Sequence, residues 1–313
     1  RDRRRTHASV KSTKSLRIHL DAHVHVYPFH DLPRLLLAAL DRMPRVAPTD
    51  QRVLALAERA DCAFFQALAQ DEIRLPGDRW RVVAWDPDGG VKLRHLPDHR
   101  DVWILAGRQI VSAERIEVCA LFSDEPIADG KPAREIVRAI LANGGLPALD
   151  WAPGKWLFGR GRLVRQLVSE FPPAQLVLVD TSLRPLGWPA PRLYAQARRA
   201  GRAVLAGSDP LPFAGEEAVA GSYHCTFEIP VPADPARLVA PLKAALAAGG
   251  EGLRFGGRRG SPLRVRFNAQ ALAELGYDVD LLVMPVGDDL ALPGVTLHRA
   301  PNFIRAKNLA IGP

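Results

Sequence analysis

The first apolar rhythm in the chain has a period of two. From Leu16 to Pro28 (LRIHLDAHVHVYP), Leu16, Ile18, Leu20, Val24 and Val26 alternate with polar residues, which predicts a strand. The rhythm then lengthens to that of a helix over Asp31 to Met43, with Asp31 placed to cap it and Pro33 in its first turn. Val53, Leu54, Leu56, Ala57, Ala60 and Phe64 recur at helical spacing and predict a second helix over Gln51 to Ala69. Two short strands, Trp80 to Trp85 and Val91 to Leu96, flank the turn sequence DPDGG. Val102 to Ala106 and Arg115 to Phe122 prolong that run, so that Arg79 to Phe122 reads as an antiparallel excursion.

After it the alternation becomes regular. Helices are predicted over Ala133 to Ala142, Gly161 to Phe171 and Pro191 to Ala200; the intervening strands are Leu146 to Asp150, Gln175 to Asp180 and Ala203 to Ala206. Repeated βα units imply a parallel sheet, open or closed into a barrel. From residue 222 onward the chain reads as a C-terminal α/β extension packed on the barrel. It has strands at His224 to Val231, Leu263 to Phe267 and Leu281 to Pro285 and a helix over Pro235 to Ala248, and little periodicity follows Pro293.

Composition narrows the class. A chain of 313 residues with 47% apolar and 24% charged residues is globular and buries a large core. Part of the net charge of +8 sits in the first seventeen residues, which hold seven Arg or Lys and one Asp and read as a flexible basic tail over 1–15. Without aromatic interleaving or helix-turn-helix spacing, that tail does not argue for nucleic acid as a partner. No apolar run is long enough to cross a membrane, and the N-terminal residues lack the apolar segment of a secretory signal. Cys62, Cys119 and Cys225, odd in number and set among apolar residues, read as reduced core residues, so a soluble cytoplasmic protein is expected.

Candidate chemistry collects at the ends of the predicted strands. In an extended chain Asp21, His23 and His25 project from one face, as ligands for one metal ion must. Later strands end at Asp150, Asp180 and Ser208-Asp209. The loop WAPGKWLFGRGR carries Lys155, Arg160 and Arg162, and Arg184 follows Asp180. Each has an ordinary reading too: a His-x-His pair can be a hydrogen-bonded strand face, Asp180 and Asp209 can cap the turns they begin, and a loop arginine is usually solvated. His95 and His99, four apart, are separated by Pro97 and do not form a helical metal pair. The glycine- and arginine-rich stretch from Gly249 to Arg264 lacks dinucleotide or P-loop spacing and reads as a basic loop.

The order of these pieces resembles the PHP superfamily of metal-dependent phosphoesterases (polymerase and histidinol phosphatase-like). The family's D-x-H-x-H strand is matched by Asp21-Ala22-His23-Val24-His25, and its G-x-E strand is similar to Gly107-Arg108-Gln109. Its G-G turn resembles Gly144 to Pro153, and its G-S-D-x-H closure resembles Gly207-Ser208-Asp209-Pro210-Leu211. The resemblance spans about Leu16 to Phe213 and implies a distorted βα (TIM-like) barrel over 16–221. It also departs: the family's T-D-H is missing, the glutamate falls at Gln109, and the closing histidine falls at Leu211. Only His23, His25 and Asp209 carry over as metal ligands. The resemblance therefore implies at most one divalent metal, zinc, manganese or iron. Asp21, Asp150 and Asp180 would be the catalytic acids, and Lys155, Arg160, Arg162 and Arg184 would neutralise an anionic substrate. Two functions follow: a metal-dependent hydrolase of a phosphate ester or related anion, or a degenerate barrel, with no metal, that binds an anionic ligand or another protein. The oligomeric state stays open.

Overall fold

The computed structural model describes residues 15–262 apart from 74, 77, 153 and 157. The basic tail up to residue 14, the expected strands Leu263 to Phe267 and Leu281 to Pro285, and the segment after Pro293 lie outside the described residues.

The chain runs β1 (Ser15–Val24), α1 (Leu32–Arg42), β2 (Gln51–Leu56), α2 (Phe64–Ala69), β3 (Trp80–Asp86), β4 (Gly90–His95), β5 (Arg100–Leu105), β6 (Gly107–Val111) and β7 (Glu117–Leu121). It continues through α3 (Ala133–Ala142), β8 (Leu146–Asp150), α4 (Phe158–Glu170), β9 (Val177–Thr181), α5 (Arg192–Arg199), β10 (Val204–Gly207), β11 (Tyr223–Pro230), α6 (Val239–Ala247) and β12 (Arg254–Gly257). Asp31 caps α1 as its sequence predicts, its side chain accepting from Arg34 N.

The expected closed barrel is not formed. The strands make two open sheets, a seven-stranded one ordered β12-β11-β1-β2-β5-β4-β3 and a five-stranded one ordered β10-β9-β8-β7-β6. The reason lies where β10 and β6, the edges of the five-stranded sheet, come beside β1 and β2, which lie inside the seven-stranded one. Beside β10, β1 offers side-chain and single backbone contacts instead of a ladder: Ser208 N–H donates to Asp21 Oδ1 at 2.8 Å and Asp209 N–H to the His23 carbonyl at 2.9 Å. Beside β6, β2 is followed by one isolated bridge between Glu58 and Arg108. Both meetings need glycine. A Cβ at Gly207 would sit 2.5 Å from His23 Cβ, and one at Gly107 would sit 2.0 Å from the Leu56 carbonyl oxygen.

Two further expectations change. Gln51–Leu56 is a strand between β1 and β5, not the start of a helix, and only Phe64–Ala69 of that stretch is helical. Its residues are buried on both faces, and a doubly buried strand loses the alternation that separates it from a helix. The expected C-terminal extension is likewise part of the main sheet, because β11 pairs antiparallel with β1 from Ser15↔Pro230 to Leu20↔Cys225. No helix among the described residues is long and apolar enough to cross a membrane.

The core is apolar where the sheets face each other. Ile18, Leu20, Ala22, Val53, Cys119, Ala148, Val179 and Leu205 are buried in one cluster, at whose rim the polar residues of β1, β8 and β10 collect.

Candidate metal centre

Strand alternation brings His23 and His25 to one point at the end of β1, with their Nε2 atoms 3.1 Å apart. Asp21 does not join them. The β1–β2 register shifts between Asp21 and Val24, and such irregularities re-aim side chains. The Asp21 carboxylate accepts from Ser208 N and Gly221 N, both at 2.8 Å, tying β1 to two segments that follow β10.

Asp209 enters from the loop after β10. Its backbone has φ 53°, a left-handed conformation that costs energy in a non-glycine residue. Its Oδ1 lies 3.6 Å from the Nε2 of both His23 and His25. Asp150, at the end of β8, supports the cluster from behind, Oδ1 standing 3.1 Å from His23 Nδ1. All four residues are buried. Two groups of ligand atoms are thus close enough to hold an ion: His23, His25 and Asp209, and on the other ring nitrogen His23, Cys119 and Asp150.

The first group fits a divalent metal. Tetrahedral coordination with bonds of about 2.0–2.2 Å places neighbouring ligand atoms roughly 3.3–3.6 Å apart, close to the 3.1, 3.6 and 3.6 Å edges here. Asp150 accepts from Nδ1–H of His23, which leaves Nε2 as the ligating nitrogen, the arrangement common behind metal-bound imidazoles.

Without an ion, electrostatics put a proton on His23 Nε2 that a metal there would displace. Burial opposes charge on His23, yet Asp150 and Asp209 outweigh it and lift the ring to about 10. Burial and the neighbouring His23 charge push His25 well down, so it is a neutral ring with a lone pair to give. Burial pushes Asp209 up to about 7 against the pull of His23, and Lys155 also favours its charged form. Burial and the Asp150 charge hold the Cys119 thiol protonated.

The other expected site residues are distributed unevenly. Lys155 is ion-paired with Glu117, both side chains about one-fifth exposed, and this pair lies close enough for Lys155 to act on Asp209 and Glu117 on His23. Arg160 donates to the Gly154 carbonyl at 3.2 Å, and Arg162 is exposed on α4. Asp180 and Arg184 form a separate buried pair, Nε to Oδ1 at 2.7 Å and Nη2 to Oδ2 at 2.5 Å. Glu117, Cys119 and Arg59 were not expected near the centre. Glu117 and Cys119 lie two apart on β7, a period-two signal the sequence does carry; Arg59, whose charge is felt at His25 and Glu117, follows β2 in a stretch expected to be helical.

No protein-family model matches the chain, and no curated protein matches it in sequence. Among solved structures it is similar to the lesion-specific endonuclease PfuEndoQ from Pyrococcus furiosus, with a TM-score of 0.44 and 12% identity over 77% of this chain and 58% of that one. It is also similar to PsfC from Pseudomonas syringae PB-5123, with a TM-score of 0.52 and 16% identity over 83% of this chain and 99% of that one. At that identity the chain shares with PsfC a fold.

Proposed function

We propose that this chain is a metal-dependent hydrolase of a phosphate ester or related anionic substrate, a divergent relative of the PHP superfamily with a reduced, mononuclear site. The observation that carries the reading is the triangle of His23 Nε2, His25 Nε2 and Asp209 Oδ1, backed by Asp150 on the far nitrogen of His23. Three protein ligands that leave the fourth position to water or substrate are the pattern of catalytic rather than structural sites. Two imidazoles and a carboxylate suit zinc, manganese or iron over calcium. When bound, such an ion would supply Lewis acidity and a water acidified toward neutrality.

The protein's own residues do the rest. Asp150 fixes the tautomer of His23 and steadies its ring. Lys155 and Arg59 are the cations whose charge reaches the centre; each is paired with an acid, Glu117 and Asp61, that an anionic ester would displace. Arg160 and Arg162 stand further along α4, and Arg184 is already neutralised by Asp180. The buried free cysteines suit a reducing cytoplasm.

Metal analysis of purified protein is expected to find about one divalent ion per chain. Turnover of p-nitrophenyl phosphate with added manganese, zinc or iron should disappear together with that ion in His25→Ala. Less than about a tenth of an ion per chain after growth with added metal would overturn the reading. The alternative reading is a binding module that turns nothing over. Stabilisation by phosphate esters that survives His25→Ala, without turnover in the unaltered protein, would select that alternative.

A further inference from the structure

A ladder of aromatic rings leads away from His25. Tyr27 stacks on the His25 ring with centroids 5.5 Å apart, and Phe29 stacks on Tyr27 at 5.6 Å with an interplanar angle of 4°. His30 meets both Tyr27 and Phe29 edge-on, at 5.1 and 5.2 Å. Tyr27 and His30 are buried, whereas Phe29 is 56% exposed.

A lone exposed phenylalanine is ordinary on a protein surface. This one is held. The turn beneath it is closed by His30 N–H donating to the Tyr27 carbonyl at 2.9 Å. His30 Nε2 lies 3.2 Å from the Leu211 carbonyl, and its Nδ1 accepts from Tyr27 N–H at 3.4 Å. Leu211 stands two residues after Asp209. Phe29 is therefore positioned from both elements that supply the candidate ligands, β1 and the loop after β10. One face of its ring rests on Tyr27, and more than half of the residue is open to solvent.

We propose that Phe29 is a stacking shelf that selects anionic esters carrying a planar aromatic or heteroaromatic group. Resting on the hydrolase reading above, it assigns the ester's anionic end to the metal centre and the cations Lys155 and Arg59, and the flat group to Phe29, two ring steps from His25. A pre-stacked ring loses little freedom when another plane lies on it, and a ring–ring contact adds to the area it buries. A base on an aromatic side chain is worth enough to change affinity at least several-fold. Esters with an aliphatic group would gain nothing from the shelf.

The test compares adenosine 5′-monophosphate with ribose 5-phosphate by calorimetric titration of the full chain, with metal content and turnover measured on the same samples. The unaltered protein is expected to bind the nucleotide about tenfold more tightly than the sugar phosphate. Phe29→Ala should bring the ratio to about one while leaving ribose 5-phosphate binding and metal content unchanged. Phe29→Trp should restore the ratio, with indole emission quenched by the nucleotide and not by the sugar phosphate. Equal binding of the two ligands by the unaltered protein, equal weakening of both in Phe29→Ala, or no binding of either would overturn the shelf. A preference that persists in protein without metal or turnover would keep the shelf and reject the hydrolase; metal and turnover without the preference would do the reverse.

Discussion

Two buried acids at strand ends, Asp180 and Asp209, have opposite surroundings. Around Asp180 every demand is met. Arg184 grips both oxygens, Tyr223 Oη donates to Oδ2 at 2.7 Å, Tyr194 Oη lies 3.5 Å from Oδ1, and the spare Arg184 Nη1 donates to the Trp188 carbonyl at 2.6 Å. Donors and acceptors balance, and the network holds β9 to β11 and α5. Around Asp209 the balance hangs on one proton: the Asp209 carboxylate and the neutral His25 ring both face Nε2 of His23, whose ring Asp150 and Asp209 hold charged. Sequence position does not separate these acids, since both end apolar strands. What separates them is whether the partners form a complete network or converge on one proton whose place a metal ion could take.

The strongest way to break this contrast is to attack the satisfied network. Removing one partner of a buried ion pair strands the other, so Asp180→Ala should lower stability by about 3–5 kcal/mol in urea unfolding. Replacing both, Asp180→Leu with Arg184→Met, should recover most of that loss. The metal content of the folded fraction should stay as it was. A metal-free Asp180→Ala protein of unchanged stability would reverse the roles assigned to the two acids.

Glu58 stands between the two cases and supplies the next largest effect. Its Oε1 accepts from Phe65 N–H at 2.8 Å, while Oε2 is buried without a hydrogen-bond partner among the described residues. Burial pushes this carboxyl up to about 7 from an ordinary 4.5. The folded chain thus keeps a proton that the unfolded chain releases above 4.5, so the contribution is full below that pH and is lost as pH rises toward 7. The loss is about 3 kcal/mol. Unfolding curves for Glu58→Gln should therefore match the unaltered protein near pH 4 and exceed it in stability near pH 8. Parallel curves at both pH values would show Glu58 to be as well satisfied as Asp180.

Metal addition probes the unsatisfied side. An ion that binds only the folded state at a hundred times its Kd stabilises by about 2.7 kcal/mol. Zinc or manganese should raise the melting temperature accordingly, and His25→Ala should abolish the rise while changing the metal-free protein by about 1 kcal/mol or less, because it also removes a desolvated ring.

How much of this was legible in the sequence follows from the range of each signal. The His23–His25 pair follows from strand alternation, a local property, and the Gly207-Ser208-Asp209 turn from composition next to an apolar strand. Helix α3 and strand β8 fall where the sequence places them, because Asn143-Gly144-Gly145 marks the boundary chemically. The departures are non-local. Gln51–Leu56 became a strand because β1 and β5 cover both its sides, and no pattern within those residues says so. Cys119 reached His23 through the β7–β8 register, Cys119↔Ala148, which pairing across an intervening helix decides. The open sheets turn on whether β10 with β1 and β6 with β2 exchange a ladder or single contacts, a matter of ångströms at Gly107 and Gly207.

The smallest effect bears on the group that links the two kinds of acid. Asp150 is as buried as Asp180, and its Oδ2 has no hydrogen-bond partner among the described residues, so as architecture it is poorly satisfied. As support for a metal ligand it is well placed, with Oδ1 on His23 Nδ1. Asp150→Asn keeps an acceptor for the ring N–H and the tautomer with it, but removes the negative charge that makes the imidazole a better donor. Metal affinity should fall about 10–100-fold, read by competition with a chelator, while stability without metal holds or rises because an under-paired charge has left the interior. Stability that falls with affinity unchanged would place Asp150 beside Asp180 as a structural acid. The centre would then consist of three ligands that hold their ion without the Asp150 charge behind them.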